Sequence, residues 1–132
     1  MKVSAITYLV REYDEAIRWF VDVLGFELRQ DLNLGDGKRW VMVAPKEAGT
    51  SFLLAKATDA NQDAGIGHAA GGRVAFFLSV DDFEASYTAL RKRGVQFCET
   101  PRREPYGMVV VFEDIYQNRW DLLGPVPQQY KS

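Results

Sequence analysis

Residues 106–123 read Tyr-Gly-Met-Val-Val-Val-Phe-Glu-Asp-Ile-Tyr-Gln-Asn-Arg-Trp-Asp-Leu-Leu, and this stretch decides the fold. Its apolar, β-branched run, 108–112, predicts a strand that is buried on both faces. The polar residues at 113–114 and 117–118 favour a reversal of the chain. A second strand with alternating side chains follows over 119–123. The stretch therefore predicts a β-hairpin.

The second strand of this hairpin carries an acid between two large apolar residues. Because side chains alternate between the faces of a strand, Trp120 and Leu122 share one face and Asp121 lies on the other. A carboxylate in this position indicates either a half-exposed surface strand or a group that points into a cavity.

Length and composition predict one ordinary domain over residues 1–132. The sequence is 47% hydrophobic and 26% charged with a net charge of −2, and it shows no basic stripe, so we expect no nucleic-acid partner. No apolar run is long enough to span a bilayer, so no membrane partner is expected. The N-terminus reaches a charge pair too early for a signal peptide, and the single cysteine, Cys98, fits a reducing compartment. A cytoplasmic protein is the prediction.

The order of elements is β-α-β-β-β, and it occurs twice. In the first half the patterns predict a helix over 13–24 and strands over 3–10, 26–31, 39–44 and 50–56. In the second half they predict a helix over 83–93 and strands over 73–80, 95–99, 108–112 and 119–123. Asp14 and either Asp81 or Asp82 are the predicted N-caps. The domain would thus hold module one at 1–57, a mobile connection at 58–72, module two at 73–124 and a tail at 125–132.

The two halves form an internal repeat. Gly94 stands 69 positions after Gly25, the two glycines each end a predicted helix, and the same offset relates Phe26 to Val95. Either half alone would leave one face of its sheet bare, so the two must join to bury a core. The predicted fold class is α+β, built from two paired βαβββ modules.

Four short motifs in this frame resemble one family. They are Phe-Val-Asp-Val-Leu-Gly-Phe at 20–26, Val-Asp-Asp-Phe at 80–83, Phe-Glu-Asp at 112–114 and Asn-Arg-Trp-Asp-Leu at 118–122. In this order they resemble the vicinal oxygen chelate superfamily, which holds glyoxalase I, bleomycin-resistance proteins and extradiol dioxygenases. The resemblance covers residues 3 to 124, and it implies that the two modules form a mixed sheet that curls into a cup.

The resemblance also implies where a metal would be held. The His and Glu ligands of the family's metalloenzymes correspond here to Ala5, Leu53, Ala75 and Asp121, of which only Asp121 can ligate. A divalent site needs three or four donors. The single histidine, His68, lies in the Gly/Ala-rich connection and is expected to be a solvated loop residue. We therefore expect no metal and no other cofactor, and neither classical glyoxalase nor dioxygenase chemistry.

Strand parity together with the resemblance places a set of residues in the cup. The predicted ligand-binding residues are Thr7, Trp40, Ser51, Arg73, Phe77, Ser79, Tyr106, Arg119 and Asp121. Trp40 and Tyr106 are expected at the rim, and the segment 101–105 is expected to act as a lid. Cys98 has no histidine nearby in sequence, which predicts a packed and inert thiol.

Arg73 and Asp121 have two interpretations. They would either neutralise each other in a structural ion pair, or act on a ligand, with Arg73 holding a carboxylate or Asp121 accepting a proton or a cationic group.

Three functions remain open. The first is a homodimer that binds a small organic molecule without the family's metal. The second is an enzyme of lyase, isomerase or dioxygenase type that uses Asp121 as its catalytic residue, with Tyr106 as a partner and with a non-standard or absent metal. The third is an interaction module whose cup is filled by its own side chains, among them Phe77.

Overall fold

The computed structural model describes residues 1–47 and 49–128, and in them the chain is a mixed α+β protein. The strands are β1 (Ala5–Val10), β2 (Glu27–Gly35), β3 (Lys38–Ala44), β4 (Ser51–Lys56), β5 (Val74–Ser79), β6 (Gln96–Phe97), β7 (Arg102–Glu104), β8 (Gly107–Glu113) and β9 (Arg119–Gly124). The helices are α1 (Tyr13–Arg18), α2 (Ala60–Gly65) and α3 (Phe83–Lys92). The chain divides into two compact units, residues 1–69 and residues 70 onward. The last four residues of the predicted tail lie outside the described part.

The first unit is a four-stranded mixed sheet with α1 against it. The strand order is β1-β4-β3-β2, in which β1 and β4 are parallel and the other pairs are antiparallel. A π-helical turn, Trp19–Leu24, continues α1 and ends at Gly25, whose φ of 88° is left-handed, so the predicted stop is confirmed. Tyr8 and Phe20 pack edge to face with ring centroids 5.1 Å apart, which joins sheet and helix in the core.

The predicted helix cap in this unit is wrong. The N-cap is Glu12, and its side chain makes no capping hydrogen bond. The helix begins at Tyr13, so Asp14 falls inside the first turn, where its carboxylate accepts a hydrogen bond from Arg39 Nη1 at 2.8 Å. The acid still lies at the positive end of the helix dipole, and it ties α1 to β3.

The second unit repeats the plan. Its main strand order is β5-β9-β8-β6, with β5 and β9 parallel, and β7 also pairs with β8. Trp120 stacks on Phe112 with ring centroids 5.5 Å apart and also contacts Phe76 at 4.8 Å. Asp82 is the N-cap of α3 and accepts a hydrogen bond from the amide of Ala85 at 3.1 Å, as the sequence predicts.

Three segments differ from the sequence prediction. The connection 58–72 contains α2, which Asp59 caps by accepting a hydrogen bond from Gln62 N at 2.7 Å. The strand predicted over 95–99 is only Gln96–Phe97, and the segment 101–105, expected to act as a lid, contains β7. The helix α2 and the strand β7 involve local polar contacts that hydrophobic periodicity does not record.

None of the helices in the described part of the chain is both long and apolar enough to cross a membrane.

Candidate functional site

The turn between β8 and β9 is built on one buried acid, Asp114. Its Oδ1 accepts hydrogen bonds from the amides of Tyr116 and Asn118 at 2.9 and 3.0 Å, and its Oδ2 accepts one from Trp120 Nε1 at 2.9 Å. These bonds close the turn and anchor Trp120, which is 1% exposed. The register of the hairpin that the sequence predicts is thereby fixed.

This register determines what surrounds Asp121. Asp121 pairs with Val111 on β8 and with Phe77 on β5, so these three side chains share the face opposite Trp120 and Leu122. Trp120 and Leu122 are buried in the core of the unit. The face that carries Asp121 is the one on which the sequence places the site.

One oxygen of the Asp121 carboxylate, Oδ1, is buried without a hydrogen-bond partner among the described residues. The residue is 8% exposed, and within the described part of the chain its Oδ1 has no hydrogen-bond partner. Burial raises the pKa of Asp121; the positive charge of Arg102 lowers it and the negative charge of Glu99 raises it further. A buried acceptor without a donor is costly, so this group is ready to accept a hydrogen bond.

Arg102 lies nearby and is bound by acids of its own. Its Nε is 3.1 Å from Glu99 Oε2, and its Nη1 forms a short ion pair with Glu104. Hydrogen bonds from Arg102 to Glu104, Glu99 and Tyr106 all raise its pKa. We call Glu99, Arg102 and Glu104 the β7 ion cluster.

Glu99 of the β7 ion cluster also accepts a hydrogen bond from a backbone amide of β8 that no neighbouring strand pairs. Between β6 and β7 no strand covers β8, and Glu99 Oε2 accepts the hydrogen bond of the Val111 amide at 3.0 Å. Residues 102–104 are therefore held against β8 as a strand, and they do not form the free lid that the sequence analysis expected.

The β7 ion cluster is not among the features predicted from the sequence. A usable signal was present, because Arg102 and Glu104 are two residues apart and share one face once 102–104 is a strand. The two prolines at 101 and 105 instead suggested a loop.

The other predicted site residues of the second unit lie at the surface. Phe77 and Tyr106 are 63% and 66% exposed, which is high for aromatic residues. Ser79 and Arg119 are exposed on β5 and β9. Arg73 lies just before β5, and the described residues show no ion pair between it and Asp121, so the structural pair considered above does not form.

In the first unit, Thr7 and Trp40 are exposed and Ser51 is half-buried. Trp40 Nε1 donates a hydrogen bond to Gln30 Oε1 at 3.0 Å, which fixes the indole on its strand. A polar surface hollow of about 390 Å³ lies on the same hairpin, lined by Asp31, Asn33, Gly35, Asp36, Gly37 and Arg39. Arg39 forms ion pairs with Asp31 and Asp14. Its guanidinium group is therefore not free to bind a ligand in the hollow.

The donors at the positions carried over from the metalloenzymes do not fit a divalent ion. Ala5, Leu53 and Ala75 have no donor side chain, and Asp121 offers one carboxylate. The described residues contain no group of three or more His, Cys, Asp or Glu side chains that could hold a metal ion. His68 is exposed in its loop, as expected.

Cys98 is exposed, so the prediction of a packed thiol is wrong. Cys98 follows the last residue of β6, and although its backbone amide still donates a hydrogen bond to the carbonyl oxygen of Val111 at 2.9 Å, its side chain is exposed. Partial desolvation, the charge of Glu113 and a hydrogen bond with Glu113 raise the pKa of the Cys98 thiol. A raised pKa keeps the sulfur protonated, which agrees with the expected lack of nucleophilic reactivity.

Comparison with known proteins finds a family model, "Glyoxalase/Bleomycin resistance protein/Dioxygenase superfamily", that matches residues 2–122. An uncharacterized protein of Shewanella frigidimarina is 45% identical over 120 residues, which is 89% of each chain. The uncharacterized protein YurT of Bacillus subtilis is 24% identical over 120 residues, covering 89% of this chain and 94% of its own length.

Solved structures agree with this family. The crystal structure of UcmS2 superposes with a TM-score of 0.81 at 29% identity, over 93% of this chain and 97% of that one. TnmS3, an antibiotic binding protein from Streptomyces sp. CB03234, superposes with a TM-score of 0.74 at 27% identity, over 95% and 96% of the two chains.

Proposed function

The chain belongs to the glyoxalase/bleomycin resistance protein/dioxygenase superfamily, and on that premise we propose that it binds a small organic molecule without a metal ion, as a cytoplasmic homodimer. The observation that carries the proposal is the buried carboxylate of Asp121, whose Oδ1 has no hydrogen-bond partner in the described part of the chain. A polar group of this kind is costly to the fold and is explained by a ligand that completes it.

The surroundings of Asp121 support this function. Small-molecule sites are largely apolar with a few oriented polar groups. On β5, Phe77 is directly opposite Asp121 and presents an exposed ring, and Val111 flanks Asp121 on the other side. The similar protein TnmS3 is an antibiotic binding protein, which is compatible with an organic ligand here.

The proposed binding residues are those that the sequence analysis selects. In the second unit they are Arg73, Phe77, Ser79, Tyr106, Arg119 and Asp121, and in the first they are Thr7, Trp40 and Ser51. Of these, we expect Asp121 and Phe77 to contribute most to the free energy of binding, since one offers an unpaired acceptor and the other an exposed ring.

A second candidate function is catalysis by Asp121. Burial raises the pKa of this carboxyl group, and a shifted pKa on a buried acid is compatible with a role in proton transfer. Tyr106, which raises the pKa of Arg102, is the proposed partner of Asp121. Arg102 is bound by two acids, so catalysis needs another group to stabilise developing negative charge.

A compound screen tests the proposed function. Wild-type protein is heated with a library of small aromatic compounds, and compounds that raise its melting temperature are titrated calorimetrically into wild type, Asp121→Asn and Arg73→Gln. Glu84→Gln, an exposed acid on α3, is the matched control.

We expect ligands that bind wild type and the control equally and bind Asp121→Asn at least about tenfold more weakly, with the ligand-free melting temperature of that variant not lowered. If the ligands bind Asp121→Asn as tightly as they bind wild type, Asp121 is not part of the binding site. Mass spectrometry of each bound compound after incubation separates the two candidate functions, since only an enzyme would change its mass.

A further inference from the structure

The unpaired oxygen of Asp121 calls for a hydrogen-bond donor, and Arg102, whose positive charge acts on Asp121, is already engaged. Arg102 is the cation whose charge acts on Asp121, yet its guanidinium is hydrogen-bonded to Glu99, Glu104 and Tyr106. Moving Arg102 to Asp121 would leave two carboxylates without their ion pair. The donor is therefore expected to come from the ligand.

The charges around Asp121 select the kind of donor. The β7 ion cluster contains two acids and one base, so it carries an excess of one negative charge before Asp121 is counted. Arg119 lies two residues before Asp121 and is paired in register with Glu113, and its charge is not among those that shift the pKa of Asp121. A negatively charged group placed against Asp121 would meet the charge of its carboxylate, and it would find no uncommitted guanidinium at Arg102.

The apolar part of the surface lies directly beside the acid. Phe77 pairs in register with Asp121 across β5 and β9 and is 63% exposed. The face of an aromatic ring attracts a cation through its quadrupole, and it also offers a flat apolar surface. An acid and an exposed ring on neighbouring strands suit a cation that is attached to a flat, apolar body.

Building on the proposed binding function, we propose that the second unit selects ligands that carry a protonated amine next to an aromatic group, with the amine donating to Asp121 Oδ1 and the aromatic group packing on Phe77. A hydroxyl donor could supply the hydrogen bond and would leave the negative charge uncompensated. The protonated amine supplies both the hydrogen bond and the compensating positive charge.

Three indole compounds of nearly equal size test this selection. Tryptamine carries an amine, tryptophol a hydroxyl group and indole-3-propionate a carboxylate. Each is titrated into ¹⁵N-labelled protein at about pH 7, and amide shifts are followed by NMR. We expect tryptamine to shift the amides of Phe77, Val111 and Asp121 and to bind at least about tenfold more tightly than indole-3-propionate.

Two variants and one control locate the effect. In Asp121→Asn we expect the preference for tryptamine over tryptophol to disappear, and in Phe77→Ala we expect all three indoles to bind more weakly. Glu84→Gln removes one negative charge from α3 and should leave all three affinities unchanged. The NMR spectrum of each variant reports whether it is folded, and because the Phe77 ring is exposed its removal tests the site with little effect on the core.

Two kinds of result would overturn the inference. If the three indoles shift the same amides with equal affinity, the proposed binding function stands and the selection for an amine fails. If none of the indoles shifts the amides of Phe77, Val111 and Asp121, the inference fails. The proposed binding function is then supported only if a compound from the screen binds wild type and loses affinity in Asp121→Asn.

Discussion

Two acids seven residues apart, Asp114 and Asp121, are both buried in the second unit and differ in their partners. Asp114 accepts hydrogen bonds from two backbone amides and from the indole of Trp120, so its burial is compensated. Asp121 Oδ1 has no partner among the described residues. Burial alone therefore does not distinguish an acid whose hydrogen bonds are satisfied from one that lacks a partner, and the hydrogen bonds themselves do.

The substitution Asp114→Ala is expected to destabilise the protein by about 3 kcal/mol, because it leaves the Trp120 indole N–H and two turn amides without an acceptor. Urea denaturation followed by Trp fluorescence measures the change. Asp81→Ala, which removes an exposed acid, is the control and should change stability by less than about 0.5 kcal/mol. A loss below about 1 kcal/mol for Asp114→Ala would contradict this role.

For single residues, the sequence predicted which face of a strand a side chain lies on better than it predicted which groups that side chain contacts. The period of a strand sufficed to place Asp121 opposite Trp120 and Leu122, and the observed register agrees. Of the two interpretations of Arg73 and Asp121, the structural ion pair does not form among the described residues, because that contact depends on where β5 begins and periodicity determines an element end poorly. Arg102 was missed for a similar reason, since its position depends on the short β7.

At the scale of elements, the close approach of β8 and β9 depends on glycine. Gly107 has a φ of 132°, and a Cβ built on it would lie 2.5 Å from the carbonyl oxygen of Gly124. The backbone that approaches Gly107 therefore belongs to the neighbouring strand, β9. The contact holds the start of β8 to the end of β9, next to Tyr106.

Gly107→Ala is expected to destabilise the protein by about 3 kcal/mol, because the added methyl group meets backbone and the φ is unfavourable for alanine. Thermal and urea denaturation measure the loss. Gly49→Ala is the control, since a Cβ there has no atom within 4 Å, and it should be neutral. Equal stability of the two variants would show that β9 shifts easily at Gly124.

Elements with a long apolar pattern were predicted from the sequence, whereas the elements in short polar segments were not. The hairpin, α1 and α3 follow from repeated apolar positions and from glycine stops, and all three are present. The short elements α2 and β7 are held by the side chains of Asp59 and of the β7 ion cluster. No periodic signal exists in so few residues, so sequence patterns could not predict them.

At the scale of the whole molecule, the match to the family model identifies the superfamily. The metal content of the protein is a prediction. Untagged protein incubated with zinc, iron, manganese or nickel and then desalted is expected to retain less than about one tenth of a metal ion per chain, because Asp121 alone cannot replace three or four donors. Elemental analysis measures the content. One metal ion per chain that is lost in Asp121→Ala would contradict the assignment and favour the enzyme.

The homodimer is likewise a prediction. Sedimentation equilibrium is expected to give a mass twice that of the chain at micromolar concentration. The edge hairpin supplies one reason, because Leu32, Leu34 and Trp40 are each about two-fifths to one-half exposed and exposed apolar surface favours association. Replacing Leu32 and Leu34 by threonine should weaken the dimer, whereas a monomeric wild type would contradict the prediction.

The central claim, that Asp121 serves a ligand at the expense of the fold, is tested most directly by the unfolding free energy of wild type and Asp121→Asn as a function of pH. The folded-state pKa of Asp121 is raised by burial, so the wild type loses stability as the pH rises through that pKa, whereas the uncharged asparagine does not. We predict that the two proteins are closest in stability at low pH and that Asp121→Asn becomes the more stable as the pH increases to about 7. If Asp121→Asn is instead the less stable protein at about pH 7, the carboxylate has a structural partner and the claim is wrong.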